Sequence, residues 1–294
     1  MLVLGGSGML GHKVFQTTGA NFRDTWCTVR GGVADSNISA LEAFRSTQVV
    51  QNVDVTDLRE VNAMLERLRP DVLVNCAGLV KQRPEAADPI LSITINGLLP
   101  HWLADTLARW GGRLIHISTD CVFDGVRGAY TEDDLPNAID LYGRTKALGE
   151  VASSNALTIR SSIIGRELQA HGALLEWFLA QNRGKVRGFQ NAWWSGVTTN
   201  HMADLIVSLI RNHSDLSGLY QVSSGRISKY ELLVLLREAY NLDIEIVADS
   251  SYVIDRTLVG KKLEDKIGYR CPPWQQLLSQ LVRDPTPYTS NPNF

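Results

Sequence analysis

Five short apolar runs lie within the first 117 of 294 residues, at 2–4, 25–29, 49–53, 72–76 and 114–117. Each is continuous instead of alternating, the pattern of strands covered on both faces in a parallel sheet. Helical patterns separate them. Leu58, Val61, Leu65 and Leu68 recur at three- and four-residue steps, Asp57 with Glu60 suits a capping box, and Pro70 marks the exit. A second long helix is expected over 90–110, bent at Pro100. This alternation predicts an α/β fold: a doubly wound parallel sheet with right-handed crossovers and a ligand crevice at the strands' carboxyl ends.

After about residue 160 the rhythm changes. Residues 184–199, rich in Gly, Trp and Asn, read as an exposed loop. A helix at 202–211 and a strand at 219–223 are expected to return to the first domain. Helices near 229–240 and 274–282 would build a smaller C-terminal α/β substrate lobe. The division expected is 1–160 plus about 197–223 for dinucleotide binding, and 161–196 plus about 224–294 for substrate. The tail 284–294 holds three prolines and little apolar mass, which suggests loose order.

A net charge of −2 without any basic stripe argues against nucleic acid, whose phosphates need a concentrated positive face. No apolar run approaches the roughly 18 residues of a membrane span, and the apolar opening stops at glycine too early for an export signal. Cys27, Cys76, Cys121 and Cys271 are scattered with no Cys-x-x-Cys pair, which fits a reducing, cytoplasmic setting. The six histidines are dispersed, so no metal is expected.

The first run leads straight into Gly5-Gly6-Ser7-Gly8-Met9-Leu10-Gly11. Glycines at 5, 8 and 11 allow a tight turn, bring backbone N–H groups towards a pyrophosphate and aim a helix N-terminus at its charge. Three glycines alone also suit a structural turn. The strand before and the helix after favour a dinucleotide. The second run ends at Arg30-Gly31-Gly32, with no carboxylate before Asp35. A guanidinium pairs with a 2′-phosphate where a carboxylate would repel it, so NADPH is preferred, with NADH still open. Asp54 and Val55 at the third strand's end suit adenine, and Cys76, Ala77 and Gly78 at the fourth suit the ribose. Either group also reads as a cap or turn.

Tyr142 and Lys146 stand four apart at the start of a helix, so phenol and ammonium are expected to share a face. A nearby ammonium would favour phenolate and tune the phenol as a general acid. Alone, the pair equally suits a solvated helix face. Ser118-Thr119-Asp120 ends the fifth run on the same carboxyl rim as the glycine loop, where a hydroxyl can donate to a carbonyl gaining charge.

With these elements in order, the chain resembles the extended short-chain dehydrogenase/reductases, and within them the dTDP-4-dehydrorhamnose reductase group. The likeness rests on the glycine loop, residues 117–125 (Ile-Ser-Thr-Asp-Cys-Val-Phe-Asp-Gly), 142–146 with Gly149-Glu150, Arg160-Ser161-Ser162, and the closing segment 268–274. It implies Thr119, Tyr142 and Lys146 as the catalytic set, with Lys146 also holding the nicotinamide ribose. It further implies Asn96 as a water-mediated support for Lys146, and 78–81, including Lys81, with 161–163 as borders of nicotinamide and sugar. Two departures sit where that group faces the sugar: Cys121 replaces Tyr, and Ile163 replaces Trp. Residues 191–198 carry Val197 in place of Pro, and Trp193 and Trp194 there suit either stacking on substrate or pinning the lobe. With Asp120, these residues form the expected substrate wall.

The resemblance implies NADPH-dependent reduction of a 4-keto-6-deoxysugar nucleotide, dTDP-linked or UDP-acetamido, for polysaccharide precursors. An epimerase or dehydratase with bound NAD, or a non-catalytic cofactor-binding regulatory subunit, stands as the alternative. A homodimer stays open.

Overall fold

The computed structural model describes residues 1–33, 37–45, 48–169 and 172–288; Asp35 and positions 289–294 of the tail lie outside them. Seven strands form one parallel sheet: β1 (Leu2–Leu4), β2 (Trp26–Thr28), β3 (Val49–Val50), β4 (Val72–Asn75), β5 (Arg113–Thr119), β6 (Ala156–Ser161) and β10 (Gly218–Gln221), in the order β10-β6-β5-β4-β1-β2-β3. The continuous apolar runs bury both sheet faces. Val3, Ile115 and Ile159 pack under α1 (Gly11–Asn21) and α7 (Thr199–Asn212), through Val14, Phe15, Met202 and Ile206. Leu2, Leu4, Leu73 and Leu114 face α2 (Leu58–Leu68) and α4 (Leu99–Ala108), through Val61, Leu65, Leu103 and Leu107. Strand order reverses at β1, which opens the crevice above the carboxyl ends of β1 and β4.

Asp57 caps α2 by accepting from the Arg59 and Glu60 N–H groups. The reciprocal half of the expected box is replaced, since the Asp57 N–H already donates to the Asp54 carbonyl. The 90–110 helix starts as α3 (Pro89–Ser92), widens to a π-helical stretch at Ile93–Leu98 and continues as α4. Pro100 supplies no N–H to the Asn96 carbonyl one turn back, and Gly149 packs there so closely that a Cβ would meet that carbonyl oxygen at 1.9 Å. After β5 the chain forms α5 (Leu141–Leu148), and β7 (Ile163–Ile164) follows β6.

Residues 184–199 are not an exposed loop. They form β8 (Lys185–Trp194) and β9 (Val197–Thr198). Val186, Gly188, Ala192 and Trp194 are buried at even positions while their neighbours are more exposed, so a period of two lies beneath a turn-like composition. In a second sheet β8 pairs antiparallel with β11 (Ile227–Ser228) and parallel with β12 (Glu245–Asp255). The strand at 245–255 carries two short apolar runs, 246–248 and 252–254, split by the polar Asp249-Ser250-Ser251. This sheet packs on α6 (Leu174–Leu179), α8 (Lys229–Ala239) and α10 (Trp274–Val282), and α9 (Lys261–Ile267) contacts β10. Among the described residues no helix is long and apolar enough to cross a membrane.

The described part of the tail is docked, against expectation. Asp284 forms a buried ion pair with Lys13 of α1 at 2.8 Å, and the Tyr288 hydroxyl lies 2.8 Å from the other Asp284 oxygen. His12 bridges outward from the glycine loop, with Nδ1 2.9 Å from the Gly8 carbonyl and Nε2 2.9 Å from the Tyr288 hydroxyl. Polar anchors hold this segment together with the Tyr288 ring, which packs against the core.

Burial pushes the His12 pKa down from 6.5 to about 4. Unfolding therefore takes up a proton between those values, and stability falls as pH drops through that window by on the order of 3 kcal/mol. Although burial opposes it, Lys13 holds the Asp284 carboxyl well below its ordinary 3.8. The stability that Asp284 contributes is complete above that value and lost as pH falls below it. Urea midpoints measured at pH 7 and 4.5 should differ far more for the native protein than for His12→Gln.

Candidate active site

The glycine loop ends β1 and opens α1. Gly5 takes φ +84°, and a Cβ on Gly11 would lie 2.0 Å from the Gly5 carbonyl oxygen, so backbone folds directly on backbone. Gly8 is exposed at the crest. Leu10 stands at the N-cap of α1 and makes no side-chain capping bond, so the N–H groups of Met9, Leu10 and Gly11 belong to a helix start without a protein anion. Gly8, Met9 and Leu10 thus offer the donors and open space that a pyrophosphate needs.

Arg30 is exposed beyond β2, and its charge helps hold the Asp54 carboxyl below its usual range. The first causes of that depression are the Thr56 N–H and hydroxyl, both donating to Asp54 Oδ1. Asp54 is thus engaged in a local turn with Val55 inside it, leaving less of the carboxylate for adenine. Cys76, Ala77 and Gly78 follow β4; the Ala77 N–H donates to Asn75 Oδ1, and burial pushes the Cys76 thiol up to about 12. Asn96, buried in the π-helical stretch, accepts from the Leu79 N–H at 2.9 Å and donates to the Leu79 carbonyl at 3.0 Å. A third, longer contact reaches the Thr145 hydroxyl. Its amide therefore fixes the 78–81 loop against α5. The Ser161 hydroxyl turns inward to the Val222 carbonyl at 2.8 Å.

Thr119 ends β5, accepts from the Cys121 N–H and donates to Asp120 Oδ1, each at 3.1 Å. Asp140 caps α5 through the Gly143 N–H, which starts the helix at Leu141 and puts Tyr142 in its first turn. Gly143 lets α5 close on the Thr119 turn, because a Cβ there would meet the Cys121 carbonyl oxygen at 2.2 Å. Tyr142 thereby reaches Thr119, Asp120 and Cys121. Lys81 lies over the phenol ring, 5.5 Å from its centroid, and pairs with Asp140 at 2.7 Å.

One expectation is overturned. The Tyr142 pKa is raised, first by burial and then by Cys121, with only the Thr119 hydroxyl opposing. Lys146 shares the helix but turns its ammonium to the Ile117 carbonyl at 2.7 Å. Burial pulls the Lys146 pKa down to about 8 against the pull of Glu150 and Cys76. Shared helix phase set the direction of both side chains, but the strand carbonyl decided where the ammonium ended. Tyr142 is thus a neutral O–H donor.

Sequence reasoning missed three groups. Lys229 opens α8 behind a Ser228–Glu231 capping box and lies 4.1 Å from the Trp194 ring centroid, with Asp120 in electrostatic reach. Burial raises the Asp120 pKa while Lys229 and Arg256 oppose it. Arg256 donates to the Phe123 carbonyl at 2.9 Å and approaches the Cys121 sulfur at 3.9 Å. His116 is buried in β5, 3.1 Å from Asn75 through Nδ1, and among the described residues its Nε2 finds no partner. Ser-x-x-Glu marks the start of α8 in the sequence, but nothing there brings Lys229 to Asp120.

The tryptophans divide their work. Trp194 is buried and stacked on Trp274 at 5.4 Å, pinning the lobe. Trp193 points to the other face under the Arg226 guanidinium, 3.7 Å from its ring. Ile163 lies on β7, paired with Val197. Among the described residues no group of three His, Cys, Asp or Glu is arranged to hold a metal ion.

Comparison with known proteins agrees with this geometry. The chain is 31% identical over 222 residues to a dTDP-4-keto-6-deoxy-D-glucose reductase of Streptomyces niveus, covering 71% of this chain and 76% of that protein. It is 27% identical over 263 residues to the methionine adenosyltransferase 2 subunit beta of Mus musculus, covering 82% and 72%. In fold it matches the dTDP-4-dehydrorhamnose reductase of Bacillus anthracis str. Ames, solved in complex with NADP, with a TM-score of 0.76 at 19% identity over 97% and 99% of the two chains. The profile of the RmlD substrate binding domain matches residues 1–286. With the glycine loop, the Thr119–Tyr142 pair and Lys146 on one rim, the chain belongs to the RmlD substrate binding domain family.

Proposed function

We propose that the protein uses NADPH to reduce the 4-keto group of a nucleotide-activated 6-deoxysugar. The observation that carries this reading is the convergence of a neutral Tyr142 phenol with the Thr119 hydroxyl on the rim that also bears the glycine loop. NADPH, when bound, supplies the hydride that adds to the carbonyl carbon. Tyr142 holds a proton at Oη for the oxygen that gains charge, and the Thr119 hydroxyl, whose single proton rests on Asp120 Oδ1, turns to donate to the same oxygen when substrate is present. In this reading Lys146, whose ammonium donates to the Ile117 carbonyl, also holds the nicotinamide ribose. Gly5, Gly8 and Gly11 with the start of α1 take the pyrophosphate, and Arg30 takes the 2′-phosphate. The two-part division of the chain assigns the seven-stranded unit to NADPH and the β8–β11–β12 unit to sugar.

Cys121 and Ile163 make a differently shaped wall from the Tyr and Trp of the resembling group. That leaves two candidate substrates, a dTDP-4-dehydrorhamnose-like sugar and a UDP-linked acetamido-4-keto-6-deoxyhexose. A panel of dTDP- and UDP-linked keto sugars with NADPH, followed by loss of reduced-nicotinamide absorbance, tests the reading. Stoichiometric consumption supports reduction, and product without consumption would point to epimerisation.

Similarity to a protein named as a methionine adenosyltransferase subunit supports a second reading, a cofactor-binding regulatory subunit. NADPH binding with no turnover of any sugar would favour it. Arg30→Ala should raise the NADPH KM about 10-fold or more while leaving that of NADH unchanged. Equal effects on both cofactors would remove Arg30 from the 2′-phosphate.

A further inference from the structure

Among the described residues Lys229 is a largely enclosed cation without a protein acceptor. Its ammonium lies over Trp194, and among the described residues no hydrogen bond or ion pair takes any of its three donors. The nitrogen is not sealed, since it is absent from the buried polar atoms that lack partners. Across the site stands Asp120, buried, with Thr119 occupying one lone pair of Oδ1. The two charges act on each other, yet no ion pair joins them. Such an arrangement leaves donors on one side and acceptors on the other, next to the Thr119–Tyr142 pair.

Resting on the reductase reading, we propose that Lys229 is a substrate-positioning residue. With Asp120 it clasps one sugar substituent that both accepts and donates, a hydroxyl or an acetamido group near the reacting carbonyl. The ammonium donates to the substituent's oxygen, and the carboxylate accepts from its O–H or N–H. Bridging by substrate satisfies both charges without either leaving its place, and it fixes the sugar ring relative to Tyr142. Arg256, Cys121 and Tyr142 are the other titratable groups that face this pair.

Lys229→Met keeps the stem over Trp194 and removes the charge. For the keto sugar nucleotide that the native protein reduces, KM should rise about 10-fold or more, with a smaller change in kcat. Lys229→Arg should recover part of the loss, and affinities for NADPH, free dTDP and free UDP by calorimetry should not change. An unchanged KM would overturn the clamp, as would equal weakening of free dTDP and UDP, which would place the ammonium on the diphosphate.

A second measurement needs no turnover. The pH midpoint for acetylation of Lys229 by acetic anhydride, read by mass spectrometry, should move downward in Asp120→Asn, because the carboxylate that supports the ammonium is gone. An unmoved midpoint means the two side chains do not face each other, and the clamp fails. Absence of turnover with every sugar would instead sink the reductase reading, and the labelling midpoint would then decide the charge pair alone.

Discussion

Tyr142→Phe lowers kcat by about 10³-fold, within the range for losing a positioned general acid, while NADPH affinity stays within about twofold. The substitution removes one oxygen and keeps the ring under Lys81, whose ammonium lies 5.5 Å from the ring centroid. The α5 cap at Asp140 and the close packing of Gly143 on the Cys121 carbonyl do not involve the hydroxyl. Single-turnover reduction with saturating NADPH, alongside fluorescence titration of the cofactor, separates chemistry from binding. Full retention of kcat would remove Tyr142 as proton donor. Because burial keeps the phenol protonated at neutral pH, the native rate should not rise with pH through deprotonation of Tyr142.

Glu150→Ala destabilises the protein by roughly 3–5 kcal/mol, the cost of leaving a buried charge without its partner. Arg160, with only 3% of its side chain exposed, makes two bonds of 2.7 Å to the Glu150 carboxylate. The Ser118 hydroxyl adds a third at 2.7 Å. The guanidinium also lies 5.1 Å from the Phe123 ring, and among the described residues its Nη1 already lacks a partner, so none of them offers an acceptor to replace Glu150. Urea unfolding measures the loss directly. The double variant Glu150→Leu with Arg160→Met should recover much of it, since neither charge then remains to be desolvated. A shift below 1 kcal/mol in the single variant would show that water reaches the guanidinium. Loss of Glu150 should also lower the Lys146 pKa further from about 8, because the carboxylate supports that ammonium.

The glycine loop, the β5 terminus and the Tyr142 helix could be found from residue order because each depends on a local rule. A strand-to-helix turn needs glycine where backbone folds on backbone, as at Gly11, and a helix start needs a cap such as Asp140. Six strands of the large sheet were legible because strands buried on both faces favour apolar runs, but β6 was not, since its buried residues include Thr158, Arg160 and Ser161. Nor was the second sheet. β8 carries its burial in alternation among Gly, Asn and Trp, and β12 is mostly exposed along its length. Their pairing is non-local, so no short window of sequence contains it.

Charge states and distant partners belonged to the tertiary structure. Four-residue spacing put Tyr142 and Lys146 on one helix, but the Ile117 carbonyl captured the ammonium and burial raised the phenol's pKa. The tail's prolines suggested looseness, yet Asp284 is held by Lys13 and Tyr288 stands beside His12 from the opposite end of the chain. Lys229 meets Trp194 and comes within electrostatic reach of Asp120 only because α8 closes over β8. Local sequence determines backbone geometry through sterics and capping. Electrostatic environment depends on what folding removes from water and which charges it brings near, and those are sums over the whole molecule.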